Sequence, residues 1–438
     1  MDDPFSNSGA APVNSAAASS AFRLTLACRL GHTNWVTQNS GRSTDGERQK
    51  LSIKDKAYLV GAYEHPTREA KDKSLAQLHA EVARGALEDA GLSHRDVDGF
   101  FCGIDSPGLG PMSMIDYMGL RVRHLDSTDI GGASYLSHVN HASQAIAAGK
   151  CNVALITLAG KPRSSGWSGT QARTFGDEAP DAAFEYAYGM GTANVYAMSA
   201  KRHMHEFGTT SEQLAWIKVA ASTHAQHNPH AVLRKVVTVD EVVNSPLVAD
   251  PLHKLDCCVV SDGGGAVIVA RPEIARSLKR PLVKLIGAAE TLKGLEGGDI
   301  DVTRTGALWS GPRAFEEAGV RPADIQYASI YDSFTITVLM QLEDLGFCKK
   351  GDGGRFVADG NLISGVGRLP FNTDGGGLCN NHPRNRGGMT KIIEAVRQLR
   401  GEAHPAVQVP DCRLALAQGL GGFLAGRHGS ATLIMERE

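Results

Sequence analysis

The chain has 438 residues, is 42% hydrophobic, and carries 45 basic against 47 acidic side chains for a formal charge of −2. Near-neutral charge with no long run of one sign removes the electrostatic case for nucleic acid or an anionic membrane surface. No stretch approaches 18 uninterrupted apolar residues, so no membrane span is expected.

Length alone suggests about three domains. The eight cysteines are scattered and form no CxxC pair. That points to reduced thiols in a cytoplasmic protein, not to a disulfide framework or a zinc ribbon. Residues 1–50 differ in composition from the remainder. Nine of the twelve residues at 10–21 are Ala or Ser, and no period follows before Lys54. The Asp2-Asp3 start argues against a transit peptide, so this stretch is expected to be a disordered extension.

From Ala57 the pattern becomes regular. Ala57-Tyr58-Leu59-Val60-Gly61 reads as a buried strand, and Leu75, Leu78, Val82, Ala86 and Ala90 trace one face of a helix that Gly91 stops. A second strand is expected from Val97 through Phe100 and Phe101. The same unit recurs at a constant offset, 86 against 314: Ala86-Leu-Glu-Asp-Ala-Gly-Leu faces Ala314-Phe-Glu-Glu-Ala-Gly-Val, and Asp96-Val97 faces Asp324-Ile325. A helix around 134–148 leads to Asn152-Val-Ala-Leu-Ile-Thr-Leu. Its counterpart is a helix around 389–399 leading to Arg413-Leu-Ala-Leu-Ala. Runs such as Ala266-Val-Ile-Val-Ala suit strands buried on both faces. These repeats predict an α/β chain of two related halves, over 51–275 and 276–438. The first half carries a loop or insertion region at 161–250, whose polar, Gly-containing part at 161–190 is a candidate substrate cover.

Three Gly-rich segments are expected as loops where strands meet helices, the usual ligand position in open α/β folds. They are Asp129-Ile-Gly-Gly-Ala-Ser134, Asn372-Thr-Asp-Gly-Gly-Gly-Leu-Cys-Asn-Asn-His382-Pro383, and Gln418-Gly-Leu-Gly-Gly422. None matches a dinucleotide or phosphate-loop fingerprint. The second fixes an imidazole after a glycine triplet, which suits a base beside oxyanion-binding amides as well as plain turn geometry. His203, His205, His224, His227 and His230 have a superficially metal-like spacing. Without carboxylate or thiol ligands at fixed positions, no metal is expected.

The spacing N-x-x-G-G-x-x-x-x-x-H-P from Asn372 to Pro383 resembles the C-terminal histidine loop of thiolases. The helix that follows, with Leu-Arg-Gly-Glu at 399–402, resembles the sterol-carrier-protein type in particular. Asp256-Cys257-Cys258 with Ser261-Asp262-Gly263 is similar to that family's D-C-x-x-x-S-D-G strand and turn. Tyr331-Asp332-Ser333-Phe334 falls where such enzymes carry His-Asp-Cys-Phe, and Asn228-Pro229 after His224-Ala225 also fits. The resemblance covers about residues 54–436. It implies a thiolase fold, with duplicated αβαβα halves packed as a five-layered body. It also implies a coenzyme A thioester as substrate, no bound cofactor, and a homodimer.

The departures from the family pattern bear on mechanism. Thiolases carry a nucleophilic cysteine at the N-terminus of a buried helix, and counting back from Gly149 puts Gly132 at that position. Ser333 and the stretch 419–422 hold no second cysteine, and Tyr331 replaces a histidine. An acyl-enzyme needs a thiolate, whereas a retro-aldol cleavage needs only a base and enolate-stabilising donors. The expected roles are therefore His382 as base, Tyr331 as proton donor or oxyanion partner, and backbone amides of Gly132 and Ala133 or of Gly421 and Gly422 as oxyanion donors. Arg384 and Arg386 are candidates for coenzyme A phosphates. Thiolase-like aldolases that shorten steroid side chains are similar in lacking the cysteine and using tyrosines, and they work with a small OB-fold/zinc-ribbon partner. Two alternatives stay open: acyl transfer through Ser134 or Cys379, and a non-catalytic acyl-CoA or lipid-binding subunit.

Overall fold

The computed structural model describes residues 52–169, 190–294, 299–383 and 387–438. The expected extension at 1–50, residues 170–189 of the expected substrate cover, and both Arg384 and Arg386 lie outside them. The strands in chain order are β1 Tyr58–Glu64, β2 Gly99–Cys102, β3 His124–Asp126, β4 Val153–Gly160, β5 Leu247–Ala249, β6 Leu252–His253, β7 Gly263–Ala270, β8 Val283–Lys293, β9 Tyr327–Ile330, β10 Leu414–Gly422 and β11 His428–Arg437. The helices of eight residues or more are α1 Leu75–Ala90, α2 Pro111–Met118, α3 Ser134–Ala147, α4 Thr192–Phe207, α5 Ser211–Ala225, α6 Ala307–Ala318, α7 Thr335–Asp344 and α8 Gly388–Arg400.

Local chemistry sets the element ends. The Ser74 hydroxyl caps α1 by accepting the Gln77 N–H, and Gly91 ends it with φ 72°. α6 ends the same way at Gly319, φ 73°. Thr210 and Gln213 form a reciprocal capping box at the start of α5.

The strands are hydrogen-bonded in the order β3-β2-β4-β7-β1-β8-β11-β10-β9. The first five belong to the N-terminal half and the last four to the C-terminal half, so β2-β4-β7-β1 is mirrored by β9-β10-β11-β8. The halves meet where β1 touches β8 at one paired position, Tyr58 with Lys284. The proposed boundary at 275 falls in the short helix Pro272–Ser277, just ahead of β8.

The duplication extends to atomic contacts. A Cβ on Gly61 of β1 would strike the Ala86 carbonyl oxygen and come 3.1 Å from Ala90 Cβ; on Gly287 of β8 it would strike the Ala314 oxygen and come 2.9 Å from Ala318 Cβ. Asp89 of α1 accepts the Ala62 N–H at 2.9 Å, and Glu317 of α6 accepts that of Ala288 at 3.0 Å. Each half thus presses its first strand onto its first helix through a glycine and ties the two with a carboxylate.

Three apolar clusters stack these elements. α1 and α2 cover the outer face of the N-terminal strands. α3 and α8 lie between strands of both halves. α6 and α7 cover the outer face of the C-terminal strands, joined there by α4 and α5. Helix, sheet, helix, sheet and helix make the expected five layers, in the α/β class of the thiolase fold. Where β10 turns into β11 across a few residues, β4 and β7 are separated by the long insertion that carries α4 and α5. The second strand starts at Gly99, two residues later than expected. The third Gly-rich segment is not a loop: Gln418 to Gly422 continue β10 and pair with β11, Gly422 opposite His428.

Candidate active site

β9 ends at Ile330 because the Asn372 side chain takes both of that residue's backbone groups. Its Oδ1 accepts the Ile330 N–H and its Nδ2 donates to the Ile330 oxygen, each at 2.8 Å. The chain leaves the sheet at Tyr331, whose N–H still reaches the Gln418 oxygen at 3.0 Å. β10 runs on past this point, so Leu420, Gly421 and Gly422 line the space that β9 has vacated.

His382 arrives from the other side. Its backbone N–H donates to Ser261 Oγ at 3.0 Å, and that hydroxyl donates to Asn381 Oδ1 at 2.6 Å. Asn381 in turn donates to Glu64 at 3.0 Å. His382 Nε2 and the Tyr331 hydroxyl are 3.1 Å apart, with the rings edge-on. Burial drives the imidazole's pKa down to about 4, with Asp332 pulling it up and Lys391 pushing it down. Burial also raises the Tyr331 phenol well above its ordinary value. At neutral pH the pair is a neutral imidazole against a phenol that holds its proton; in the tautomer protonated at Nδ1, Nε2 accepts and the phenol donates.

Asp332, next to Tyr331 in the chain, has partners of its own. It accepts the Gly377 N–H at 2.8 Å and the Leu378 N–H at 3.1 Å, and forms a fully buried ion pair with Lys391 at 2.6 Å. Glycine at 376 and 377 gives this carboxylate its place, since a Cβ at either would crowd its oxygens.

Tyr331 and His382 sit in the wall of a cavity of about 710 Å³. Most of its described lining is apolar, including Leu233, Val248, Leu255, Val259, Phe334 and Leu420. Tyr196 of α4 joins it, packed on Phe334 at 4.5 Å with its hydroxyl 3.3 Å from the Gly422 oxygen. Two cysteines also line it. Burial pushes the Cys257 thiol up to about 12 and that of Cys258 up as well, so neither is a thiolate at neutral pH.

The other expected residues lie as follows. Gly132 is in a tight turn at the N-terminus of α3, and a Cβ there would overlap the Tyr331 ring, 2.6 Å from Cζ. Ser134 is buried; its hydroxyl donates to the Gly131 oxygen at 2.7 Å and accepts the Ile130 N–H at 2.8 Å, closing that turn. Cys379 is fully buried, with its thiol raised by burial. Neither Ser134 nor Cys379 is among the residues lining the cavity. The histidines go to separate partners: His203 to Glu343 at 2.9 Å, His224 to the Ser364 N–H at 2.9 Å, and His227 stacked on His404.

Sequence reasoning did not single out Lys391 or Tyr196. Lys391 is 1% exposed although its neighbours along the same face of α8 are Glu394, Ala395 and Gln398, so its spacing carries no sign of a buried partner. Tyr196 belongs to the insertion, where no sequence pattern ties it to the distant Tyr331.

The family description "Thiolase C-terminal domain-like" matches residues 297–437. An acetyl-CoA acetyltransferase of Methanothermobacter thermautotrophicus is 34% identical over 372 residues, 83% of this chain and 96% of that protein. The chain belongs to the thiolase superfamily. Two further relatives of this thiolase-type enzyme bear on its chemistry. A 17-hydroxy-3-oxo-4-pregnene-20-carboxyl-CoA lyase of Mycobacterium tuberculosis is 34% identical and covers 80% of this chain and 92% of its own. A steroid side-chain-cleaving aldolase of Thermomonospora curvata is 36% identical and covers 75% and 86%. Among solved structures, the Ltp2-ChsH2(DUF35) aldolase superposes with a TM-score of 0.79 at 32% identity, over 88% of this thiolase-superfamily chain and 98% of that one. Among the described residues, no helix is long and apolar enough to cross a membrane.

Proposed function

We propose that this thiolase-superfamily enzyme cleaves the Cα–Cβ bond of a β-hydroxyacyl-CoA by a retro-aldol reaction, releasing a carbonyl compound and a shortened acyl-CoA. The observation that carries this reading is the hydrogen-bonded Tyr331 and His382 in the wall of an apolar cavity whose thiols are held protonated. His382, directly or through the Tyr331 oxygen, takes the β-hydroxyl proton. The Cα–Cβ electron pair moves onto the thioester as an enolate while the β-oxygen becomes a carbonyl. The proton then returns to the α-carbon, so no oxidant, metal or acyl-enzyme is required. Backbone amides of Gly421 and Gly422, or of Gly132 and Ala133, are the oxyanion donors in this reading. One such donor is worth roughly 3–4 kcal/mol.

The size and apolar lining of the cavity favour a bulky hydrophobic acyl chain, in keeping with the steroid-cleaving relatives. In this reading the coenzyme A thioester is a substrate, its phosphates held by Arg384 and Arg386, and no separate cofactor takes part. A small OB-fold/zinc-ribbon partner is proposed on the likeness to the aldolase solved with a DUF35 chain. A homodimer is proposed on the exposed apolar run Ile104, Leu109, Met112, Tyr117 and Leu125 beside the edge strand β3.

The test is turnover of a panel of β-hydroxyacyl-CoAs by the full chain, alone and with a co-expressed DUF35-type protein. His382→Ala should lower cleavage by about 10²–10⁴-fold with the fold intact. A fully active His382→Ala enzyme, or a covalent acyl adduct on Ser134 or Cys379 seen by mass spectrometry, would sink the aldolase reading.

A further inference from the structure

The Gly132 backbone is gripped on two sides. A Cβ on Gly421 would come 2.6 Å from the Gly132 N, and one on Gly388, at the start of α8, would strike the Gly132 oxygen and come 3.1 Å from its carbonyl carbon. Close approach without side chains is how strand β10 and helix α8 hold this turn. A side chain at 132 therefore has no room to draw its own backbone aside. Directly in front of it stands the Tyr331 ring, whose Cε2 and Cζ a Cβ would overlap, with the Leu420 carbonyl oxygen beside it. The Tyr331 and His382 pair is bounded by a further glycine: a Cβ on Gly387 would lie 3.1 Å from His382 Cδ2 and 3.4 Å from Tyr331 Cε2.

We propose that Gly132 is a positioning residue that selects the reaction: the volume of its absent side chain is the seat of the Tyr331 ring, and that seat brings the phenol to His382. A nucleophilic side chain at 132 and a tyrosine at 331 then exclude one another by volume. The Tyr331 and His382 hydrogen bond exists because position 132 carries no Cβ. The catalytic meaning of this seat rests on the aldolase reading above; the seat itself does not.

The experiment compares Gly132→Ala, Tyr331→Ala and the double variant of the full chain. Thermal unfolding reads the seat without any turnover. Gly132→Ala should lower Tm by about 5 °C or more in the native background, as overpacking of a rigid site does. In the Tyr331→Ala background the loss should be less than half as large. The residual loss there is the Leu420 carbonyl contact, which removal of the ring leaves in place. Against a β-hydroxyacyl-CoA that the native enzyme cleaves, Gly132→Ala should lose at least about 100-fold in kcat. Equal Tm losses in the two backgrounds, or a Gly132→Ala enzyme with native kcat, overturn the proposal. Should Gly132→Ala fail to fold, recovery of folding in the double variant supports the seat, and failure of the double variant overturns it. A native enzyme that cleaves no β-hydroxyacyl-CoA removes the aldolase reading but leaves the Tm comparison able to stand or fall alone.

Discussion

The two halves of the chain share a frame and differ in what they add to it. β1 and α1 meet through Gly61 and Asp89, and β8 and α6 meet through Gly287 and Glu317, in the same way. The equivalent central helices α3 and α8 then diverge at their starts. α3 begins at a turn stripped of side-chain chemistry, with Gly132 gripped by its neighbours and Ser134 spent on closing the turn. The segment before α8 carries His382, and β9 delivers Tyr331 to it. In the proposed reaction the N-terminal half contributes the seat and the C-terminal half the reacting groups. A duplicated fold needs functional groups in only one copy of a position, which frees the other copy to become space.

Acid should test both halves together and have the largest effect. His138, His224, His382 and His428 are all buried, and burial takes each from 6.5 to about 4. The unfolded chain binds protons from pH 6.5 downward while the folded chain resists them until about pH 4. Stability is therefore full above pH 6.5 and drains away as pH falls to 4. An unfolding midpoint that stays flat across this window would break the argument. Next comes Lys391→Met, which strands the Asp332 carboxylate in the interior of the C-terminal half and should cost about 3–5 kcal/mol in denaturant unfolding. Tyr331→Phe removes only the phenol and should lower kcat by about 10²–10³-fold, with an unfolding midpoint close to native. Gly61→Ala and Gly287→Ala, at equivalent positions, should each cost about 1–3 kcal/mol and differ by less than about 1 kcal/mol. Unequal losses would blur the equivalence of the halves. The smallest effect is expected for Ser134→Ala, about 1 kcal/mol of stability for a lost turn bond and less than about threefold in rate. A large rate loss there would move chemistry back into the N-terminal half.

Local features were legible in the sequence because they depend on neighbours along the chain. The apolar spacing of α1 and its end at Gly91 could be read directly, and the repeat at Gly319 exposed the duplication. The His382 loop was legible because its spacing matches a family pattern. The continuation of β10 through Gly422 was not, because three glycines in five residues look like a loop until β11 pairs with them. The Asp332 and Lys391 pair was not, because two oppositely charged residues 59 positions apart carry no sequence sign of contact. Nor was the seat at Gly132: the missing cysteine could be counted, but only the fold shows that a ring fills its volume.

The insertion has a consequence for how the protein is made. Helices α4 and α5 are synthesised within the N-terminal half, yet Tyr196, Leu214 and Ile217 pack in one cluster with Phe334, Ile336 and Leu339 of the C-terminal half. At a synthesis rate of about 5–20 residues per second, this apolar surface stays without its partner for several seconds after it leaves the ribosome. Nascent chains stopped between the two segments should therefore be captured by holdase chaperones and cut by proteases within α4 and α5. Chains long enough to release α7 should resist both.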